Sequence, residues 1–284
     1  MTVRIVTDST SDIPPELAAE LGITVVPIYV RFGTQTYRDG VDIEPDRFFE
    51  MLVSSPFHPA TSQPTPEDFE LVYSDLCGES DGIVSIHISS RISGTYNSAE
   101  IARNNLASKC PIEIIDSGLN SCGLALVVLA AARAAREGKD FESVLRETHT
   151  ALEQCDMFGV FATMTYLARG GRINRTISMA ANFLNVMPLL TFHKGEIVRA
   201  GLARSISRGI DRLVEFAESK KDIRELVVVH AAAPFNAEKL RKRLAHVFPE
   251  ENILTFSMGA GLGVHGGPGV LLVGTRAGNS TATP

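Results

Sequence analysis

Positive charge, cysteine pairs and long apolar runs are all scarce in this chain of 284 residues. Lysine and arginine number 27 against 33 aspartates and glutamates, a formal net charge of −6. So acidic a chain has no general pull towards phosphate backbones or anionic lipid surfaces, and nucleic acid is excluded as an expected partner. The apolar stretch from Cys122 to Ala132 is too short for the ~20 residues that cross a bilayer. Ser257 to Thr275 is long enough and free of Asp, Glu, Lys and Arg, but it carries seven glycines and Pro268. That composition reads as a loop, so no transmembrane segment is expected. The opening MTVRIVTDSTSD turns polar after its first six residues and has no signal-peptide core. The four cysteines (Cys77, Cys110, Cys122, Cys155) show no CxxC spacing, and reduced, buried thiols in a cytoplasmic protein are expected. There is no Walker A motif and no metal-ligand spacing, hence no expected cofactor.

What is present is ordinary for a globular chain: 44% hydrophobic and 21% charged residues, which excludes disorder. At ~150 residues per domain the length suggests two domains. In the first half, short β-branched runs (VRIVT, TVVPIYV, GIVSIHI, PIEIID) alternate with helical patterns (PEDFELVYSDLC, GTYNSAEIARNNLA, GLALVVLAAARAAREG). That alternation predicts a parallel sheet covered on both faces. DIPPELAAELG reads as a helix capped by Asp12 and closed by Gly22. In the second half MPLLTF and GEIVRAG suit a hairpin. They precede two amphipathic helices and the strands LVVVHA, NILTFS and GVLLVGT. The expected fold is therefore α/β with two domains: a parallel-sheet α/β/α domain over 1–160 and a smaller α+β domain over 161–284. The closing AGNSTATP reads as a frayed tail.

Several segments carry possible chemistry. Asp8 follows the first strand, where ligands sit in parallel sheets, although turn-making by Asp8, Ser9 and Ser11 is the commoner use. SSRISGTYNSAE opens a helix, so Ser93, Gly94 and Thr95 lie among backbone N–H groups that have no intrahelical partner and favour an anion. Ser93 as a plain N-cap is compatible with that role. ATSQPTPED brings hydroxyls at Thr61, Ser62 and Thr65, the last a good helix cap. MGAGLGVHGGPG has GxGxxG spacing at Gly261, Gly263 and Gly266. A strand follows it and no acidic residue comes after Glu251, so it reads as a flexible loop presenting His265 rather than a dinucleotide site. YLARGGRIN carries Arg169 and Arg172, and Arg172 suits a phosphate or a partner carboxylate.

Taken in order, VTDSTSDIP, VVPIYV, TSQPT, SSRISGTYNSA, IDSGLNSCGLAL, LARGGRI and HGGPG resemble the DegV family of bacterial fatty-acid-binding proteins. The resemblance implies a DegV-like fold of two α/β domains with a long-chain fatty acid in a tunnel between them. It implies that Thr61 and Ser93 hold the carboxylate, beside Gly94 and Thr95, with His265 at the same mouth. Gly266 stands where many relatives have a hydroxyl residue. The resemblance further implies a non-catalytic, lipid-presenting role in phospholipid synthesis. A separate dihydroxyacetone-kinase-like, ATP-dependent subunit would phosphorylate the bound carboxylate, with Arg172 and Arg204 in partner or phosphate contact. Hydroxyls, a helix N-terminus and a histidine are donors suited to a carboxylate. The rival is a serine hydrolase or acyltransferase using Ser93, His265 and Asp8 or Asp116, but residue 91 is arginine, so the GxSxG elbow is missing. A third reading makes Asp8 the nucleophile of a phosphotransferase.

Overall fold

The computed structural model describes residues 2–106, 110–172 and 186–278. Ile173 and Asn174 of the arginine segment, and the tail from residue 279, lie outside the described residues.

Four strands, β1 (Val3–Asp8), β2 (Ile23–Val26), β6 (Gly82–His87) and β7 (Ile112–Asp116), form a parallel sheet in the order β2-β1-β6-β7. Helices α3 (Pro66–Cys77) and α4 (Thr95–Asn105) cover one face. Side chains alternate across the strand: Val6 faces the cluster with Phe69 and Tyr73 of α3, while Ile5 faces α5 (Ser121–Arg136) on the other side.

A six-stranded mixed sheet follows, in the order β10-β9-β8-β13-β11-β12. Its strands are β8 (Cys155–Val160), β9 (Met187–His193), β10 (Glu196–Ala203), β11 (Ile223–His230), β12 (Leu254–Ser257) and β13 (Leu271–Ala277). Leu226 and Val228 face α8 (Ile206–Glu218) and α9 (Pro234–Leu244), and Val227 and Val229 face α5. The first of these strands, β8, ends at Val160.

Helix α5 is therefore enclosed between two sheets. Thirteen of its 16 residues are buried, as an apolar surface on every side requires. Helix α6 (Phe141–Gln154) packs along it. The layers run helix, sheet, helix, sheet, helix, which is an α/β fold with one parallel and one mixed sheet.

A third, small antiparallel sheet, β4-β3-β5, comprises β3 (Tyr29–Phe32), β4 (Gln35–Arg38) and β5 (Ala60–Ser62). TVVPIYV is thus two strands in different sheets, broken at Pro27, which has no N–H for a ladder. Helices α1 (Pro15–Leu21), α2 (Pro45–Ser54) and α7 (Thr165–Gly170) complete the periphery.

Two local expectations are corrected. Asp12 does not cap α1. Pro14 stands at that position, and Asp12, at φ 55°, turns its carboxylate inward to accept from Gly259 N (2.7 Å) and the Ser121 hydroxyl (2.6 Å). The glycine-rich segment is not a loop: Ala260–Gly266 is a helix, α10. Glycine's poor helix propensity hides it in the sequence, but here the missing side chains let α10 pack against other elements. A Cβ on Gly263 would come 2.4 Å from the Phe48 ring.

Candidate functional site

Three separate elements bring hydroxyl and imidazole groups to one place. Strand β5 carries Thr61, the loop after β6 carries Ser93 at the start of α4, and the last turn of α10 carries His265. Thr61 Oγ1 lies 2.9 Å from His265 Nε2, across 204 residues of sequence. The other ring nitrogen, Nδ1, is buried and has no hydrogen-bond partner among the described residues. Gly170 closes that side: a Cβ there would fall 2.0 Å from Nδ1.

This packing selects the protonation state. Burial, then the Arg172 charge and His58, push the His265 pKa down to about 4, so the ring is neutral at pH 7. A proton on Nδ1 would leave a buried N–H unpaired, whereas a bare lone pair there costs less. The proton therefore belongs on Nε2, donating to Thr61 Oγ1. The Thr61 hydroxyl hydrogen is left free to donate elsewhere.

Ser93 is not the N-cap of α4; Gly94 stands there. Ser93 Oγ accepts from Thr95 N (3.3 Å) and sits 2.9 Å from Thr95 Oγ1. The buried Thr95 hydroxyl orients Ser93 without reaching the surface itself. A Cβ on Gly94 would meet the end of the Gln63 side chain at 2.8 Å, but Gln63 is exposed and its amide can swing aside.

Thr61, Ser93 and His265 all line one cavity of about 850 Å3, its open mouth included. Its walls are mainly apolar, with Ile28, Ile88, Met157, Leu190, Phe192 and Leu272 among them. Strands of the mixed sheet contribute directly, whereas the parallel sheet contributes only the segments that follow its strands, through Thr10, Ile88 and Asn120. At Ser93 and Arg172 the cavity meets a more open groove of about 1070 Å3, lined by Ser90, Arg91, Gly94 and Glu196 among others. The exposed Arg172 guanidinium donates to Gly170 O at 2.7 Å. Arg204 is exposed and lines neither space. Sequence reasoning passed over Gln63 and Asn120 in the cavity and Arg91 and Glu196 in the groove, since none stands in a pattern that points to chemistry.

The hydrolase triad is not assembled. Asp8 accepts from His87 Nδ1 (3.0 Å), Ile88 N (3.1 Å) and Thr10 N (3.1 Å), all inside the core. Asp116 accepts from Ser90 N (3.1 Å) and Gly118 N (2.9 Å). The hydroxyl beside His265 is Thr61, not Ser93. Asp8, His87 and Ser85 do form a chain, closed by Tyr73 OH at 2.8 Å from Ser85, but its members are fully buried. Such a network satisfies core polar groups and offers a substrate no access. Among the described residues, no group of three or more His, Cys, Asp or Glu side chains is placed to hold a metal ion. Nor is any helix there long and apolar enough to cross a membrane.

Two stacked sheets sharing a central helix, with an apolar chamber that ends in hydroxyls and a neutral imidazole, define the class. The chain belongs to the DegV family. The family model described as uncharacterised protein, DegV family, matches residues 2–276. A DegV domain-containing protein of Clostridium perfringens is 33% identical over 273 residues, covering 94% of this chain and 96% of the relative. Another, from Caldanaerobacter subterraneus subsp. tengcongensis, is 34% identical over 269 residues, 94% of this chain and 95% of the relative. Among solved structures, a DegV family protein from Thermus thermophilus, described for its fatty acid binding, superposes with a TM-score of 0.89 at 33% identity. It covers 98% of this chain and 100% of its own. DegV of Bacillus subtilis, described as a fatty acid binding protein, gives 0.87 at 27% identity, covering 97% of this chain and 99% of its own.

Proposed function

We propose that this protein binds a long-chain fatty acid, with the acyl tail in the apolar cavity and the carboxylate at Thr61 and Ser93. The observation that carries this reading is the mixed character of one cavity: mainly apolar walls, with the Thr61 hydroxyl beside a neutral His265 and the oriented Ser93 hydroxyl on the same lining. The descriptions of the Thermus thermophilus and Bacillus subtilis relatives support it. Each buried methylene contributes ~0.8 kcal/mol, so a C16 tail offers on the order of 12 kcal/mol before ordering costs. Affinity comes from the tail and orientation from the head group. The lipid would sit between the halves before and after residue 160.

The same reading assigns the groove at the mouth to a second step. A separate ATP-dependent, dihydroxyacetone-kinase-like subunit would dock there and convert the presented carboxylate to an acyl phosphate. This chain would supply no catalytic group. Arg172, at the junction of cavity and groove, would contact the phosphoryl group or the partner, with the exposed Arg204 as a further partner contact.

Native mass spectrometry of the purified protein, followed by organic extraction, tests the binding step. A stoichiometric saturated or monounsaturated fatty acid is expected. No copurified lipid, together with no binding of added palmitate or oleate, would overturn the reading. Arg172→Ala tests the second step: lipid binding should survive while acyl phosphate formation with a kinase subunit falls.

A further inference from the structure

Asp39, directly after β4, is a buried carboxylate outside the cavity wall. Its Oδ1 accepts from Ala260 N at 2.7 Å and its Oδ2 from Gly261 N at 3.0 Å, the first two residues of α10. Oδ2 also accepts from the Ser9 hydroxyl at 2.8 Å, and Ser9 Oγ in turn accepts from Ile28 N at 3.0 Å. The Asp39 backbone N–H returns to Ile28 O at 2.9 Å. Ile28 leads into β3, where Val30 is paired with Thr61 of β5. One carboxylate thus joins the small sheet that carries Thr61 to the helix that carries His265. The approach is tight, since a Cβ on Gly261 would lie 2.9 Å from Asp39 Oδ2.

We propose that Asp39 is a positioning residue for carboxylate recognition, setting the Thr61–His265 hydrogen bond by fixing α10 to the β4-β3-β5 sheet. Three donors converge on its two oxygens, and an ionised carboxylate accepts all of them with no proton of its own to place. An amide keeps one acceptor and turns an NH2 towards a donor that cannot rotate away, the Gly261 N–H. The inference rests on the reading of Thr61 as a carboxylate ligand, but the geometry it invokes is testable without any lipid.

The experiment uses the full chain as wild type, Asp39→Asn, Thr61→Ala and the double variant, with Ser9→Ala as a milder break on the sheet side. In the lipid-free protein, nitrogen NMR of the His265 imidazole reports the Thr61 bond directly. Asp39→Asn should move the Nε2 resonance, and Ser9→Ala should shift it in the same direction by less. An unchanged His265 signal in both variants overturns the proposal. Palmitate affinity should fall about tenfold in Asp39→Asn but by no more than about twofold when the same change is made in Thr61→Ala, because the two residues act through one contact. Equal losses in both backgrounds mean that Asp39 merely holds the fold, which also overturns the proposal. If wild type binds no fatty acid, the carboxylate-ligand reading of Thr61 fails, and the imidazole signal still decides whether Asp39 sets the pair.

Discussion

The hydroxyl of Ser89 donates to the carbonyl of Gly195 at 2.7 Å, joining the loop that carries Ser93 to the turn of the β9–β10 hairpin. The Ser89 carbonyl accepts from Ile92 N and Ser93 N, both at 3.1 Å, so the loop's shape depends on where Ser89 is held. Gly195 has φ 81°, and a Cβ on it would lie 2.7 Å from Ser89 Oγ. Gly195→Ala should therefore destabilise the protein by about 1–3 kcal/mol, through backbone strain and overpacking together. Ser89→Ala should cost ~1 kcal/mol for the lost bond, and both should weaken palmitate binding by displacing Ser93. Urea denaturation and calorimetry check the pair; a Gly195→Ala protein as stable as wild type would contradict the strain argument.

Thr61→Ala and Ser93→Ala should each weaken fatty acid binding by roughly ten- to a hundredfold, since a hydrogen bond to a charged group is worth ~1.5–3 kcal/mol. Fatty alcohols of equal length should be nearly indifferent to both changes, because they present no anion. Isothermal titration of acid and alcohol separates these cases. Unchanged acid affinity in both variants would end the assignment of these hydroxyls.

Protonation of His265 should destabilise the unliganded protein. The folded ring is held at about 4, chiefly by burial, against ~6.5 in the unfolded chain. Between those values the folded state binds fewer protons, so stability rises with pH. The contribution of the neutral ring is complete above pH ~6.5 and is lost as pH falls towards 4, on the order of 3 kcal/mol in all. Wild type should lose more stability between pH 7 and 4.5 than His265→Gln. Parallel pH profiles for the two proteins would show that the ring is not held neutral by its surroundings.

Gly263→Ala offers a contest between two effects of opposite sign. Helix propensity alone favours alanine by about 1 kcal/mol. The new methyl, however, would sit 2.4 Å from Phe48 and 3.0 Å from Phe49, both buried. Overpacking costs about 1–3 kcal/mol and should win, so the substitution should lower the melting temperature. A rise would mean that α2 yields easily to α10.

The long regular elements were legible because their periodicity matches their burial. PEDFELVYSDLC, with Thr65 ahead of it, is α3 with a capping box between Thr65 and Asp68. Helix α5 coincides with the apolar run that begins near Cys122. Harder to read were places where distant contacts outweigh local preference. Helix α10 looks like a loop because its Gly261 and Gly263 are determined by Phe48, Ile28 and Asp39, residues more than 200 positions away. Asp12 resembles a cap by its place before two prolines, yet its partners are Ser121 and Gly259. The family resemblance pointed to Thr61, Ser93 and His265, and all three line one cavity. Nothing local announces the Thr61–His265 bond, or the paired roles of Asp39 and Ser9 behind it.

Helix α5 presents apolar side chains to both large sheets at once. Drawing the sheets apart like a hinged book would strip this shared helix on two sides, at ~25 cal/mol for every square ångström of apolar surface uncovered. So large an opening is out of reach of thermal fluctuation, and the chain should melt in a single cooperative transition rather than half by half. Among the described residues, the Ser89–Gly94 loop, the β9–β10 hairpin and α7 border the chamber and can shift while α5 stays covered.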